Sequence, residues 1–444
     1  MKLPTSLLAG LLLCRASGAA GEVELPSPLR LPQALDIALK QSGVLRRAGA
    51  QLQQARGRAG QTRAAWYPQL SAGLQDSGQT INLKALGIGV NIPFLPTKVG
   101  PFETFDARAS VSQNVLNLPL LHNDKASRLQ LDSAEARAAN ARELLVYQVA
   151  VAFSQALRAQ QQHATLREQT ELSRKLASIT EERFREGLAS MVELTRSRQQ
   201  VSNLEQVLSE AENTLTSAKV QLAALLNARV TADYELDDQA PGAAASPPSQ
   251  EEALRQAFAA RSDYRAARLQ VQAAEQRLAA VKAQRLPVVQ FRADIGQSGN
   301  SITSNINTFR VAGAVSFPIY TGGRIEGEIT EEHGRLEEAR SALDEVSSQV
   351  SAEVLAALTA IRTARRQLEV SAEAVGLARE EVELATLRFQ DGVADNTEIV
   401  NAQDRLSRAE DARVRARFQW SLAETALHRS IGDIDRFYAS GRAK

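Results

Sequence analysis

The chain is poor in the residues that build ordinary globular cores and reactive centres. Among 444 residues there are one cysteine, two methionines and two tryptophans, and aromatic side chains make up 5%. The single cysteine, Cys14, falls inside an N-terminal segment that reads as an export signal, so a disulfide framework is excluded for the mature chain. The histidines (His122, His163, His333 and His428) are widely spread, with no cysteine or carboxylate at ligand spacing, which argues against a metal centre. No nucleophile–base set and no glycine-rich phosphate loop stands out. The sequence therefore points to no enzyme and to no cofactor. A formal net charge of +1 gives no field to hold nucleic acid. Beyond the N-terminal segment no run of about 18 apolar residues occurs, which excludes a transmembrane helix and leaves a β-barrel as the one way to span a membrane.

The export signal covers residues 1–20. Lys2 gives it a basic start, Leu7 to Leu13 an apolar centre, and Ser17 to Gly21 a small-residue cleavage region. Leu13 occupies the position before Cys14 where a lipobox carries a small residue, so cleavage after Ala20 is expected; acylation of Cys14 is the alternative. The rest is dominated by Ala, Arg, Glu, Gln and Leu, a mixture suited to long helices packed through narrow Ala/Leu seams.

The chain also repeats itself. Residues 33–74 align without a gap on 252–293, so that Ala34, Leu35, Ala38, Arg46, Gln53, Arg58 and Pro68 return as Ala253, Leu254, Ala257, Arg265, Gln272, Arg277 and Pro287. Further on, Arg183-Phe184, Gly187, Glu193 and Glu205 return as Arg388-Phe389, Gly392, Glu398 and Glu410. Each half must be one copy of one structural unit. The expected organisation is a first repeat over 21–227, a linker over 228–250, a second repeat over 251–432 and a tail over 433–444.

Each repeat reads as helix, strand pair and long helical hairpin. Apolar and Ala positions at helical spacing predict helices over 31–65 and 251–285, broken by Pro68 and Pro287. The period then falls to two. Strands are expected over about 69–76, 104–116, 288–296 and 308–319. Phe105, Ala107, Ala109 and Val111 alternate with Asp106, Arg108, Ser110 and Ser112, and Phe309, Val311 and Val315 alternate with Arg310, Ala312 and Ser316. One apolar and one polar face suit a membrane barrel with a wet lumen, or a soluble sheet half-buried on a core. Four strands are too few to enclose water, so the barrel reading requires oligomerisation. The segment 76–104 reads as an extended external loop or as a prolongation of the two strands. Long helices follow over 122–186 and 327–391, on the order of 100 Å each at 1.5 Å per residue. Gly187 and Gly392 stop them, and helices over 191–226 and 397–431 return.

In this order the motifs resemble the TolC family of outer-membrane efflux proteins. The resemblance rests on Phe317-Pro318-Ile319-Tyr320-Thr321-Gly322-Gly323-Arg324 at a strand-to-helix passage, on the turns Arg183 to Ser190 and Arg388 to Gly392, and on the Leu31 to Leu39 pattern. The first half departs at Asn117-Leu118-Pro119, which lacks Gly-Gly-Arg. The resemblance implies a mainly α protein with a membrane β-barrel part: a homotrimer whose protomers contribute four strands each to a barrel of about twelve, with the helices forming a periplasmic tunnel. It further implies an outer-membrane location among lipid, and a passive export conduit for tripartite efflux or type I secretion, served by an inner-membrane pump and a periplasmic adaptor. A soluble periplasmic coiled-coil scaffold or adaptor is the alternative.

The resemblance also assigns candidate residues. Glu398 falls where the family narrows its pore with acids, and Asn401 stands where a second acid is common; Asp391, Asp395 and Glu193 belong to the same entrance. A ring of Glu398 carboxylates would attract cations, while an acid in a first helical turn is also what the macrodipole favours. Arg183, Gly187, Leu188, Ala189, Ser190, Arg388 and Gly392 are candidates for adaptor docking, beside their local work of ending and capping helices. Trp66, Tyr67, Phe317 and Tyr320 at the strand–helix junctions, with Phe105 and Phe309 at the starts of the returning strands, are candidates for membrane aromatic belts or for packing beneath a barrel.

Overall fold

The structure, a computed structural model, describes residues 24–83, 85, 98–187, 189–237, 247–301, 303–390 and 396–440. The chain forms two compact units, each drawn from both repeats. One comprises Met1–Arg46, Ala141–Ala260 and Ala352–Lys444; the other comprises Arg47–Asn140 and Arg261–Ser351.

The second unit contains the strands β1 (Gln69–Asn82), β2 (Lys98–Leu116), β3 (Val288–Ser301) and β4 (Ser304–Ser316). They form one antiparallel sheet in the order β1-β2-β3-β4, so β1 and β4 are its edges. The strands are longer than the two-residue period alone marks. Pairing of β1 with β2 continues through Gly78–Glu103 and Gln79–Phe102 and, past a bulge, to Asn82–Lys98. Much of the expected external loop is therefore strand, because backbone pairing tolerates the glycines and polar residues that hid it from the alternation. The apolar stretch beyond Ala85 lies outside the described residues. β4 stops at Ser316, short of the expected 319, since Pro318 has no N–H to offer a ladder.

In sequence, each strand pair is preceded and followed by helices. The helix expected over 31–65 is two, α1 (Leu31–Gln41) and α2 (Gly43–Ala64). Ser42 is extended (ψ 124°), and its Oγ accepts from the N–H groups of Val44 (3.1 Å) and Leu45 (3.4 Å), which caps the new start. The second repeat breaks at the equivalent place, between α5 (Gln250–Ala260) and α6 (Ser262–Ala283), where Arg261 has ψ 125° and grips Asp263 through two hydrogen bonds of 3.0 and 2.6 Å. Two different residues thus interrupt the helix at one place. Within the strand-bearing unit, Ala266, Ala273, Ala274, Ala280 and Ala283 are buried along α6, so neighbouring backbones can approach closely. Ser133 Oγ, fully buried, donates to Ala266 O (3.0 Å) and accepts from Gln270 (2.8 Å).

The long helices are α3 (Leu118–Arg185), α4 (Met191–Leu225), α7 (Arg324–Gln390) and α8 (Asn396–Ile431). α3 starts at Leu118, four residues before the expected 122. Pro119 sits in its first turn, where a missing N–H costs nothing, and Asn117 Oδ1 accepts from Leu120 N–H (2.9 Å). The second repeat uses Gly322 (φ +63°) and Gly323 (φ +83°) for the same passage. A capped asparagine therefore stands in for the absent Gly-Gly-Arg.

The first unit holds the main core: Leu29, Leu35, Val149, Phe153, Leu222, Leu226, Phe418 and Ile434, with Tyr234 and Leu236 from the stretch expected to be linker. Leu29 and Leu236 form a parallel bridge, with Leu29 N–H donating to Glu235 O (2.7 Å) and Asp237 N–H to Leu29 O (3.0 Å). The linker is therefore a structural strap at its start. The tail is structured too: α9 (Ile434–Ser440) buries Ile434, and Tyr438 Oη lies 2.8 Å from Thr425 Oγ1. Burial pushes the Tyr438 phenol up to about 12.

Candidate functional site

Two regions carry the features that function requires, the hairpin ends in the first unit and the sheet in the second.

The hairpins are antiparallel because their ion pairs mirror one another across the turns. In the first, Arg198 of α4 reaches Glu181 of α3 (3.4 Å); seven residues further along each helix, Arg174 of α3 meets Glu205 of α4 (2.8 Å). That step is one heptad, the repeat of a coiled-coil seam. In the second, Arg379 of α7 meets Glu410 of α8 (3.0 Å), the same pair one repeat later, and Arg405 pairs with Glu381. The hydrogen bond from Arg198, with the charge of Arg185, holds the Glu181 carboxyl below its usual range.

The turns differ. Gly187, at φ +78°, ends the first long helix and donates to Phe184 O (3.0 Å). Ser190 then caps α4: its Oγ accepts from Glu193 N–H (3.2 Å) while Glu193 Oε2 accepts from Ser190 N–H (2.6 Å), a reciprocal box. Glu193 is thus occupied locally. In the second hairpin Arg388 binds Glu398 across the turn (3.2 Å), with both side chains partly exposed. Glu398 accordingly has a cationic partner. Asn401 is exposed on α8, Arg183 lies in the last turn of α3, and Ala189 lies between α3 and α4. Leu188, Asp391, Gly392 and Asp395 lie outside the described residues.

Between the helices of the first unit lies a cavity of about 250 Å³, lined by Gln169, Ser173, Ser197, Gln200, Gln403 and Ser407 among others. Ser407 Oγ donates to Gln169 Oε1 (2.8 Å). Polar side chains in a seam exchange packing for hydrogen bonds that water can replace, which weakens that stretch relative to an apolar one.

The sheet has two unlike faces. Leu70, Leu74 and Phe309, 82%, 79% and 80% exposed, stand on one face with Ile295, Val311 and Val315. No described helix is long and apolar enough to cross a membrane. The opposite face is polar. Its centre is Arg108, which bonds Asp106 through Nε (3.1 Å) and a terminal nitrogen (3.0 Å), pairs with Asp294 of β3, and reaches Thr308 of β4 (3.4 Å). In register Arg108 faces Gly73 on one side and Gly296 on the other, which clears the surface around it. This cross-strand network escaped the sequence reading; the alternation exposed Arg108 and Asp106 as polar-face residues, but their partner Asp294 depends on register.

Among the aromatic candidates, Tyr67, Phe317 and Tyr320 are exposed (Tyr320 88%) near the strand–helix junctions, and Trp66 is half-buried. Phe105 and Phe309 do not begin their strands. They lie within them, Phe105 opposite Asp76 and Gly299 and Phe309 opposite Ile295, because pairing extends past the residues where alternation starts.

A four-stranded sheet with an apolar exposed face, joined to long helical hairpins in a tandem repeat, defines the class of strand-and-hairpin outer-membrane channels. A family model described as outer membrane efflux protein matches residues 34–228 and 253–433, most of the chain, and the chain belongs to that family. It is therefore an outer-membrane protein of efflux, a transport conduit and not a soluble periplasmic scaffold. Among curated relatives, the pyoverdine export outer membrane protein OpmQ of Pseudomonas putida is 24% identical over 411 residues, covering 90% of this chain and 85% of that protein. Protein CyaE of Bordetella pertussis is 25% identical over 430 residues, covering 93% and 86%. Among solved structures, the outer membrane protein VceC of Vibrio cholerae superposes with TM-score 0.77 at 22% identity, covering 90% of this chain and 96% of that one. The Campylobacter jejuni CmeC outer membrane channel gives 0.78 at 17% identity, covering 91% and 86%. Both share the fold.

Proposed function

We propose that the chain assembles as a homotrimer, each copy giving four strands to a barrel of about twelve in outer-membrane lipid and its hairpins to a periplasmic tunnel. The channel is a passive conduit for tripartite efflux or type I secretion, driven by an inner-membrane pump and joined to it by a periplasmic adaptor. The observation that carries this reading is the sheet itself. Its edges, β1 and β4, are 14 and 13 residues long, and its apolar face is exposed. Long unpaired edges are aggregation templates unless closed, and closure by identical copies removes them. Relatives named as an export outer membrane protein and an outer membrane channel support the same role. Extraction of the mature protein from outer membranes into mild detergent, followed by native mass spectrometry, is expected to give three chains. A monomer would overturn the reading.

On this reading Arg183, Gly187, Leu188, Ala189 and Ser190, with Arg388 and Gly392, form the adaptor-docking turns. Glu398, Asn401, Asp391, Asp395 and Glu193 border the entrance. Trp66, Tyr67, Phe317 and Tyr320 form one aromatic belt, and Phe105 and Phe309 meet lipid higher on the barrel. The polar cavity supports gating by a shift of one hairpin against the other, since a hydrated seam slips at lower cost than an apolar one. Glu398→Ala is expected to weaken block of single-channel current by divalent cations while leaving trimer yield unchanged. An exposed ion pair such as Arg388–Glu398 contributes only about 0–1 kcal/mol to stability. Unaltered conductance and block would remove Glu398 from the entrance.

A further inference from the structure

The polar face of the sheet carries five charged residues: Asp106 and Arg108 on β2, Arg292 and Asp294 on β3, and Arg310 on β4. Their pairing is unequal. Asp294 stands directly opposite Arg310 in the β3–β4 register, the position from which a cross-strand ion pair would form. Its carboxylate is instead held by Arg108 from the other side, and Asp106 is held by the same guanidinium. One arginine therefore occupies both carboxylates. Arg310 is left with no carboxylate among the described residues, and Arg292 has as its hydrogen-bond partner there the neutral amide of Gln290 (3.0 Å).

Arg292 and Arg310 are diagonal neighbours. Arg292 faces Ala312 across the ladder, and Arg310 lies two residues before that alanine on the same face. Diagonal positions are roughly 7–8 Å apart, within joint reach of two guanidinium groups converging on one small anion. Both side chains are exposed. The one anionic neighbour, Asp294, is held by Arg108; beside it, Ser112 pairs with Arg292 on the β2 side, and the small Ala312 leaves the opposite side open. A guanidinium presents a planar fork of donors matched to the paired oxygens of a carboxylate or phosphate.

We propose that Arg292 and Arg310 form an anion-binding site on the polar face of the sheet, and that this site makes the channel prefer solutes bearing a carboxylate or phosphate group. The proposal rests on the barrel reading, which turns that face into a lumen. In the barrel three arginines face two aspartates in each copy, a balance opposite in sign to that of an acidic entrance. Arg108 is the positioning residue. By occupying both carboxylates it keeps them from the other two arginines.

The test uses the full-length wild-type channel in planar bilayers under a potassium chloride gradient. The dilute side is held at about 0.01 M, where the screening length of roughly 30 Å spans a lumen. The wild-type reversal potential is expected to show a several-fold preference for chloride, and inorganic pyrophosphate is expected to block the current. R292Q/R310Q should abolish the chloride preference and weaken pyrophosphate block by about tenfold, the loss that removing charge-assisted hydrogen bonds brings. R292K/R310K should keep the preference and lose part of the block, because lysine retains charge but not the fork. A wild-type channel that favours potassium or ignores pyrophosphate overturns the site whether or not the variants assemble. Conducting channels whose selectivity is the same in R292Q/R310Q overturn the site and leave the barrel standing. Wild-type protein that forms no conducting channel overturns the barrel reading and the site together.

Discussion

Gly296→Val is expected to abolish recovery of folded protein from the outer membrane, while Gly73→Ala leaves it intact. The two glycines flank Arg108 in register, Gly73 from β1 and Gly296 from β3, and sequence alone treats them alike. Space separates them. A Cβ added at Gly73 meets nothing within 4 Å, whereas one at Gly296 runs into the backbone carbonyl of Ala107 and comes within 2.8 Å of Arg108 Cα. The obstacle is backbone, which cannot rotate away as a side-chain tip can. A β-branched residue would have to push β2 and β3 apart, interrupting the ladder where it carries Arg108–Asp294. Loss of those central pairs exposes strand edges inside the sheet, and exposed edges aggregate. The measurement is the yield of protease-resistant protein in outer-membrane fractions at matched expression. Equal yields for Gly296→Val and wild type would show that the two strands can separate there without cost.

The contrast between these glycines marks what the sequence could reveal. The duplication, the strand-to-helix order and the helix-ending Gly187 were legible because each rests on local rules: helical or two-residue periodicity, proline breaks and a left-handed glycine. The repeat even carried the cross-helix pair Arg174–Glu205 into Arg379–Glu410, and Glu205 and Glu410 already appeared as recurrent acids. Legibility failed where a residue's role depends on a partner far along the chain. Ser42 and Arg261 make the same helix break by unlike means, a hydroxyl cap and a guanidinium–carboxylate clasp, so no shared signal announced it. Tyr234 and Leu236 looked like linker because Pro241, Pro247 and Pro248 follow, yet both are buried where Leu236 bridges to Leu29. The strand ends were missed because glycine and polar residues pair through the backbone as well as valine does.

The candidate site divided along the same line. Glu193 and Glu398 occupy equivalent repeat positions, and both carry an acid in a first helical turn. The first is drawn back onto Ser190 and the second onto Arg388, so equivalent acids serve a cap and a cross-turn ion pair. The sequence shows the two acids at equivalent positions, but which partner each takes depends on side-chain contacts: Ser190 for Glu193 and Arg388 for Glu398.

Glu143→Ala is expected to destabilise the protein more than the double replacement Glu143→Leu with Arg429→Met. Glu143 of α3 and Arg429 in the last turn of α8 face each other at 3.5 Å, with side chains 11% and 10% exposed. Taking both charges out of water costs several kcal/mol each, which their attraction offsets only while both are present. The C-terminal end of α8 adds a smaller favourable field for the arginine. Removing the glutamate alone takes the facing carboxylate away from a buried guanidinium, a loss of about 3–5 kcal/mol. Replacing both by apolar side chains of similar volume removes the desolvation cost along with the attraction and is expected to be neutral or stabilising. In detergent-solubilised protein the single variant should melt about 3–6 °C below wild type, with the double variant at or above it. A double variant that melts as low as Glu143→Ala would mean that the pair contributes net stability of its own. The ionic contact would then be part of what holds α8 against α3.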